Sequence, residues 1–167
     1  MTFIKKLTAS GSGTLSFVHG SGGVDFSTYK EYVFTFNNIH PDSDNVNFQF
    51  NGSIDAGSNY NVTKTTTFFR ATHNEADNDS GLEYRTGADL AQSTADQVLI
   101  DQIGSDNDQC GSGYLHLYNP SSTTFVKNFI ARVNGTTHND QNISDFISGY
   151  FNTTSDIDAI RFKLNGG

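Results

Sequence analysis

Large apolar residues recur at every second position in several short segments of this chain, and this spacing constrains the fold more than any other feature. Successive side chains of a β-strand point to opposite faces, so a segment of this kind buries one face and exposes the other. The segments 32–37 and 46–51 show the pattern most clearly. The same reasoning predicts strands over 14–19, 64–71, 113–118, 123–133, 146–151 and 160–164.

Composition agrees with a strand-rich fold. The chain has 14 Phe and 7 Tyr, which provide most of its bulky apolar volume. Its 17 Asn, 17 Ser, 18 Thr and 16 Gly are residues that favour turns over helix interiors, and only 17% of the chain is charged. Many short strands separated by turns are typical of a sandwich or barrel, and the longer connections favour a jelly roll. We therefore expect an all-β, jelly-roll-like β-sandwich of about eight or nine short antiparallel strands.

Three segments stand outside the regular alternation. Small residues after Leu7 predict a flexible N-terminal arm over 1–13, followed by a single β-sandwich domain over 14–167. Residues 73–81 predict an acidic, Asn-rich loop. The stretch 88–103 fits either one face of a helix or, near its end, a short strand, and we favour a loop or one helical turn that leads into a strand.

Charge and hydropathy exclude several classes of protein. The net charge of −8 argues against nucleic-acid binding, which depends on a cationic surface. No stretch approaches the roughly 18 apolar residues of a membrane span. Residues 1–7 lack the apolar run of a secretory signal, so we expect synthesis in the cytoplasm without a signal peptide and without membrane insertion. The single cysteine, Cys110, excludes a disulfide within the chain.

Candidate chemical sites are few. Asp106 and Asp108 are the candidates for a structural calcium ion, because hard cations prefer carboxylate oxygens, and the alternative is a solvated turn in which Asp side chains cap their own backbone. The chain lacks zinc-ligand spacings, a phosphate-binding loop and a Gly-x-Ser-x-Gly motif. A carboxylate pair for glycoside hydrolysis depends on tertiary distance and stays open. We predict a non-enzymatic protein with no catalytic residue and, apart from calcium, no cofactor.

Aromatic residues in alternating strands first of all build a core. Exposed aromatics would serve sugar binding or protein contacts instead. Tyr29, Tyr60 and Tyr84 lie closer to predicted loops and are therefore the candidates for surface contacts.

Seven segments carry a resemblance to a known family. They cover 17–24, 32–41, 67–73, 104–109, 113–122, 149–154 and 157–162. In these segments the chain resembles a family of β-rich virion structural proteins encoded by tailed phages of picocyanobacteria and similar marine bacteria. The resemblance implies a non-enzymatic component of the virion surface, with no catalytic residues to transfer.

A capsid-surface decoration or cement-like protein is the first hypothesis, with other virion proteins and further copies of the chain in a homo-oligomer as partners. The N-terminal arm would then lie across a neighbouring subunit, with Phe3, Ile4 and Leu7 in apolar grooves and Lys5 and Lys6 on acidic surface. One alternative is a trimeric tail-fibre or appendage domain. Another is a carbohydrate-binding host-recognition module with a surface glycan as partner, which would show an exposed row of Tyr or Phe over Asn and Asp side chains.

The resemblance also concerns the end of the chain. Family members continue with a further glycine-led strand, whereas this sequence ends at Asn165-Gly166-Gly167. This implies either that a C-terminal strand is missing from the sequence or that the last ladder closes differently, for instance against a neighbouring subunit. An open ladder edge invites strand addition from a partner.

Overall fold

A computed structural model describes residues 1–165 and shows an all-β molecule. All its strand pairs are antiparallel. The ten strands are β1 (Thr14–Val18), β2 (Glu31–Ile39), β3 (Val46–Ser53), β4 (Lys64–Asn74), β5 (Ser80–Tyr84), β6 (Gln97–Ile103), β7 (Gly111–Tyr118), β8 (Lys127–Thr136), β9 (Gln141–Phe151) and β10 (Ala159–Leu164).

The strands form two packed sheets. The four-stranded sheet has the order β1-β10-β3-β6, and the six-stranded sheet has the order β2-β7-β8-β9-β4-β5. The chain crosses between the sheets at most connections and stays in one sheet only for the β4-β5 hairpin and the β7-β8-β9 meander. This path is that of a jelly-roll-like β-sandwich. The expected fold class is confirmed, with ten strands rather than eight or nine.

Phenylalanine rings from both sheets fill the space between them. Phe162 of β10 meets Phe34 and Phe36 of β2 at ring-centroid distances of 5.3 and 4.9 Å, and it stacks on Phe48 of β3 at 5.9 Å. Phe50 has no exposed surface. Its ring centroid lies 5.1 Å from that of Phe129 in β8 and 6.0 Å from that of Phe151 in β9, both in the opposite sheet. Since burying one such side chain contributes about 1.5–3 kcal/mol, this cluster is the main cohesive element between the sheets.

The prediction of a loop over 73–81 is wrong at both ends of that range, because the chain forms a β-hairpin there. β4 continues to Asn74, and β5 pairs with it from the Phe69–Tyr84 pair to the His73–Ser80 pair. All five residues of β5 are exposed. An edge strand without a buried face has no alternation of apolar residues, so the sequence gives no signal for it.

The favoured interpretation of 88–103 is confirmed. Asp89 N–H donates to the carbonyl of Arg85 at 3.2 Å in a single hydrogen-bonded turn, an irregular connection follows, and β6 begins at Gln97. Irregular pairing of β6 with β3 interrupts the alternation of buried residues in β6. None of residues 1–165 lies in a helix, so this part of the chain holds no helix that could cross a membrane.

The last strand does not form an open edge. β10 lies between β1 and β3 and pairs with both of them, starting at Ala159. Strand addition from a partner at β10 itself is therefore excluded, and the edge strands of this sheet are β1 and β6. Gly166 and Gly167 lie outside the described residues.

One end of the core holds a buried network of charges. Arg70 of β4 donates hydrogen bonds of 2.6 and 3.0 Å to Asp145 of β9, and its guanidinium lies 3.5 Å from Asp101 of β6 in the other sheet. Arg85 hydrogen-bonds to both Asp101 and Glu83. Burial raises the pKa of Asp145, and Arg70 offsets part of that rise. The network joins the two sheets through paired charges, which the low-dielectric interior requires.

We expect Asp145→Asn to lower the free energy of unfolding by about 3–5 kcal/mol, because the substitution leaves the buried Arg70 guanidinium without its bidentate partner. Denaturant titration followed by fluorescence or circular dichroism measures the change. The control is Glu83→Gln, which removes an exposed partner of Arg85 and is expected to cost less than about 1 kcal/mol. Equal losses in the two variants would contradict the importance of the buried pair.

Candidate binding face

The outer face of the six-stranded sheet carries large side chains in a row that crosses every strand. Because paired residues of neighbouring strands lie on one face, the register places these side chains side by side. From edge to edge the row consists of Thr35 (β2), Tyr114 (β7), Arg132 (β8), Phe146 (β9), Phe69 (β4) and Tyr84 (β5). We call these six residues the aromatic row.

The middle of the aromatic row is an ordered stack. The rings of Phe69 and Phe146 lie parallel, with centroids 4.8 Å apart and an interplanar angle of 1°. The guanidinium of Arg132 lies 4.9 Å from the Phe146 ring centroid, within cation–π range. Tyr114, Phe69 and Tyr84 are 38%, 42% and 52% exposed. The row therefore presents aromatic surface to solvent in fixed positions.

A second row on the same face extends this surface. It consists of Val33, His116, Ile130, Ser148 and Thr67. His116 packs edge-on against Tyr114 at 5.1 Å and hydrogen-bonds to Glu31. Ile130 is 49% exposed. The two rows together give a broad surface on which apolar and hydrogen-bonding groups are interleaved.

Polar groups border the aromatic row on its other side. Tyr114 and Arg132 help to line a shallow depression of about 380 Å³, together with Ser112, Asn134 and Ser144. The Asn134 side-chain amide is held in place because its Nδ2 donates to Asn142 Oδ1 at 2.7 Å and to the Ile143 carbonyl at 2.8 Å. Hydroxyl and amide groups therefore stand beside aromatic rings, which is an arrangement able to bind a polar ligand with apolar faces.

Strict alternation in the central strands produces this face. In β8, every second residue from Lys127 to Gly135 is buried, and the residues between them, including Arg132, point outward. In β4, Phe68 is fully buried and its neighbour Phe69 points to solvent. The outer residues are thus placed by the burial of their neighbours, since the side-chain period of a strand is two.

The residues suggested for assembly lie in the N-terminal arm, which contains no strand. Phe3 is 80% exposed and Ile4 is 36% exposed. Lys5 and Leu7 are half-buried, and Lys6 is exposed. The structure therefore leaves the largest apolar side chain of the arm, that of Phe3, mostly in solvent.

The arm passes along the turn at 20–29. Phe3 and Ile4 form one wall of a shallow depression of about 250 Å³ whose other wall includes Asp25 and Tyr29. Hydrogen bonds from the Ser27 hydroxyl and backbone N–H lower the pKa of Asp25 to about 2, so this carboxylate is ionised under ordinary conditions. The arm is therefore seated beside a fixed negative charge.

Asp106 and Asp108 lie in the exposed loop between β6 and β7. Gln109 N–H donates to the Asp106 carbonyl at 2.9 Å, and His40 hydrogen-bonds to the same oxygen at 3.1 Å. Within residues 1–165, no group of three or more His, Cys, Asp or Glu side chains is arranged to hold a metal ion. The geometry favours the turn interpretation of this loop.

The three tyrosines suggested for surface contacts are placed differently from one another. Tyr84 belongs to the aromatic row, Tyr29 is 40% exposed beside the arm, and Tyr60 is half-buried beneath the Arg161 guanidinium at 4.6 Å. Phe69 and Phe146 are not among the aromatic residues that the sequence pattern marks as surface contacts. The adjacent phenylalanines at 68 and 69 indicate an aromatic residue on the outer face, because two consecutive residues of one strand lie on opposite faces.

No family model matches the chain, and neither a curated protein nor a solved structure shows significant similarity to it. A function for this protein therefore has to be inferred from its own residues and their geometry.

We expect Phe69→Ser to lower the free energy of unfolding by less than about 1.5 kcal/mol, because the ring lies on the outer face. The matched variant Phe68→Ser empties a core position of the same strand and is expected to cost about 3–5 kcal/mol. Parallel denaturant titrations of the two variants give the comparison. A larger loss for Phe69→Ser than for Phe68→Ser would show that the face assignment is wrong.

Proposed function

We propose that this chain is a non-enzymatic structural protein of a phage virion surface, acting as a decoration or cement-like protein of the capsid exterior. Its partners are other virion proteins and further copies of the chain, and it joins the particle after synthesis in the host cytoplasm. The resemblance of seven segments to virion structural proteins supports the proposal. The observation that carries it is the aromatic row on the outer face of the six-stranded sheet.

The aromatic row has the properties of a preformed contact surface. Aromatic residues and Arg are enriched in protein interfaces, where they contribute much of the binding energy. Phe69 and Phe146 are already fixed by stacking on each other. Their side chains therefore lose little conformational entropy when a partner covers them. Each Å² of apolar surface removed from water contributes about 25 cal/mol. A broad face of this kind, which extends across all six strands, suits contact with an extended surface such as a capsid shell.

The N-terminal arm provides a second contact. Phe3 is the most exposed aromatic residue of the chain's described part, and Lys5 and Lys6 add two positive charges to a protein with a net charge of −8. Docking Phe3 into an apolar groove of a neighbouring subunit would bury its ring. The lysines would steer the arm to acidic surface, including that of another copy of this chain.

The alternative position on the particle is a tail fibre or appendage. The same face and arm would then serve contacts within a trimer. Mass spectrometry of emptied heads and of isolated tails separates the two positions, because a shell protein is present in many copies and a tail protein in few.

A carbohydrate-binding role is the second candidate, and a specific observation favours it. The Tyr114 ring lines a shallow depression together with Ser112, Asn134 and Ser144, and Phe146 lies on the same face beside Arg132, which also lines it. Aromatic rings stack on the apolar faces of sugars while amides and hydroxyls bind the sugar hydroxyls. The ligand would be a glycan of the host surface.

Deleting residues 1–10 is expected to abolish binding of the protein to virions while the sandwich remains folded. The hydrogen bond from Leu164 N–H to the Gly13 carbonyl, at 2.9 Å, survives the deletion, and so does β1. The measurement is occupancy on particles purified after complementation, with circular dichroism as the test of folding. Replacing Phe3, Ile4 and Leu7 by Ser should reproduce the loss. Unchanged occupancy in both variants would contradict the role of the arm.

The carbohydrate alternative predicts binding on a glycan array that is lost in Tyr114→Ala and in Phe146→Ala. Phe125→Ala is the matched control, because Phe125 is 69% exposed but lies outside the six-stranded sheet. Loss of signal only in the two row variants supports sugar binding. A silent array, or equal loss in the control, would remove this alternative and leave the structural role.

A further inference from the structure

Two buried polar side chains face each other between the sheets. Lys64 is the first residue of β4 in the six-stranded sheet, and Asn51 belongs to β3 in the four-stranded sheet. Both are fully buried. Lys64 Nζ lies 2.8 Å from Asn51 Oδ1, so an amine and a carboxamide are held in contact where solvent is excluded.

We infer that Lys64 and Asn51 form an intramolecular isopeptide bond, which joins the two sheets covalently. This modification is independent of what the outer face binds. Lys64 Nζ attacks Asn51 Cγ, a new C–N bond forms, and the bond from Cγ to Nδ2 breaks. A proton from Nζ passes to Nδ2, which leaves as ammonia. The reaction consumes one amine and one primary amide, yields one secondary amide and ammonia, and needs no oxidant, reductant or added group.

Hydrogen bonds hold the carboxamide of Asn51 at both its oxygen and its nitrogen. Its Oδ1 accepts a hydrogen bond of 2.9 Å from Gly52 N–H, which stays in place to stabilise the negative charge that develops on that oxygen. Its Nδ2 donates to the Thr94 carbonyl at 3.0 Å, which fixes the leaving nitrogen. Lys64 Nζ is fixed in turn by a hydrogen bond of 3.0 Å to the Val62 carbonyl. The reacting atoms are therefore held together before any chemistry occurs.

The environment favours the neutral amine that the reaction needs. Burial lowers the pKa of Lys64 to about 8, so the neutral amine is far more populated near neutral pH than in an exposed lysine, although the ammonium is still the major form. The Phe151 ring, 5.8 Å from Nζ, contributes to the apolar surroundings. Since Asn51 has no exposed surface, water does not compete with the amine for Cγ.

Asp96 is the carboxylate that acts on both side chains of the pair. Burial raises its pKa, but hydrogen bonds from Arg161 and from the Asn51 side chain outweigh this effect, so the pKa of Asp96 is lowered overall and the group is ionised. Arg161 Nη2 holds one oxygen at 2.9 Å, and Lys163 Nζ lies 3.2 Å from the other. The negative charge of Asp96 also acts on Lys64. Asp96 is thus a positioning residue, because its hydrogen bond with the Asn51 side chain and its charge on Lys64 keep the carboxamide and the amine together.

The test is the intact mass of the purified, folded protein. We expect a mass lower than that of the unmodified chain by one ammonia molecule, and full sequence mass in Lys64→Arg. Lys127→Arg is the matched control: Lys127 is also fully buried and begins a strand, but its Nζ donates to the Thr153 carbonyl, so this variant should still lose ammonia. Wild-type protein at full mass would overturn the proposal.

Lys64→Arg also excludes the other route to the same mass. Asn51 precedes Gly52, and an Asn-Gly pair can lose ammonia by closing a succinimide on its own backbone. That product does not need Lys64, so ammonia loss that persists in Lys64→Arg would overturn the proposal.

Two further measurements do not depend on whether Lys64→Arg folds. Tandem mass spectrometry of digested wild-type protein should show a branched peptide that joins residues 51 and 64, with no tryptic cleavage after Lys64. Separate, linear peptides would overturn the link. Asp96→Asn should reduce the linked fraction several-fold, and an unchanged fraction would overturn the role given to Asp96.

Discussion

The contact between Phe162 and the phenylalanine rings of the opposite sheet determines how the two halves of this sandwich face each other. Phe162 belongs to β10, which lies between β1 and β3, and its ring contacts two rings of β2 in the opposite sheet. This contact sets the distance between the sheets and determines which face of each sheet points inward. Edge-to-face packing of this kind adds directional preference to ordinary apolar burial. Once the inner positions are occupied by rings, the two-residue period of each strand decides which side chains remain outside.

The packing of the core determines which residues lie on the outer face of the six-stranded sheet. It does not determine which residue types stand there. Nothing in the core requires Phe69, Phe146 and Arg132 to be large, because polar side chains would serve an exposed sheet equally well. Three large side chains stacked in one row on a solvated face cost solubility without adding to the core. This cost makes the aromatic row the best-supported contact surface of the molecule.

The sequence alone predicts those parts of the fold that depend on one strand at a time. The alternation in 32–37 and 46–51 predicts β2 and β3, and turn residues predict the connections. It does not predict β5, which has no buried face, or the aromatic row, which depends on the register between strands far apart in the chain. Lys64 and Asn51 likewise look like ordinary polar residues, because their burial depends on the connection at 90–97 that packs over them.

The energetics of Lys64 argue for a covalent end state. A buried ammonium loses most of its hydration, and the two groups that contact Lys64 Nζ are neutral oxygens that return only part of it. A methionine of similar length would fill the same space without that cost. An amide bond to Asn51 removes the ionisable group, keeps the neighbouring Gly52 N–H paired and converts a marginal polar contact into a link between the sheets. The bond that Lys64 can form therefore gives a physical reason for a lysine at this buried position.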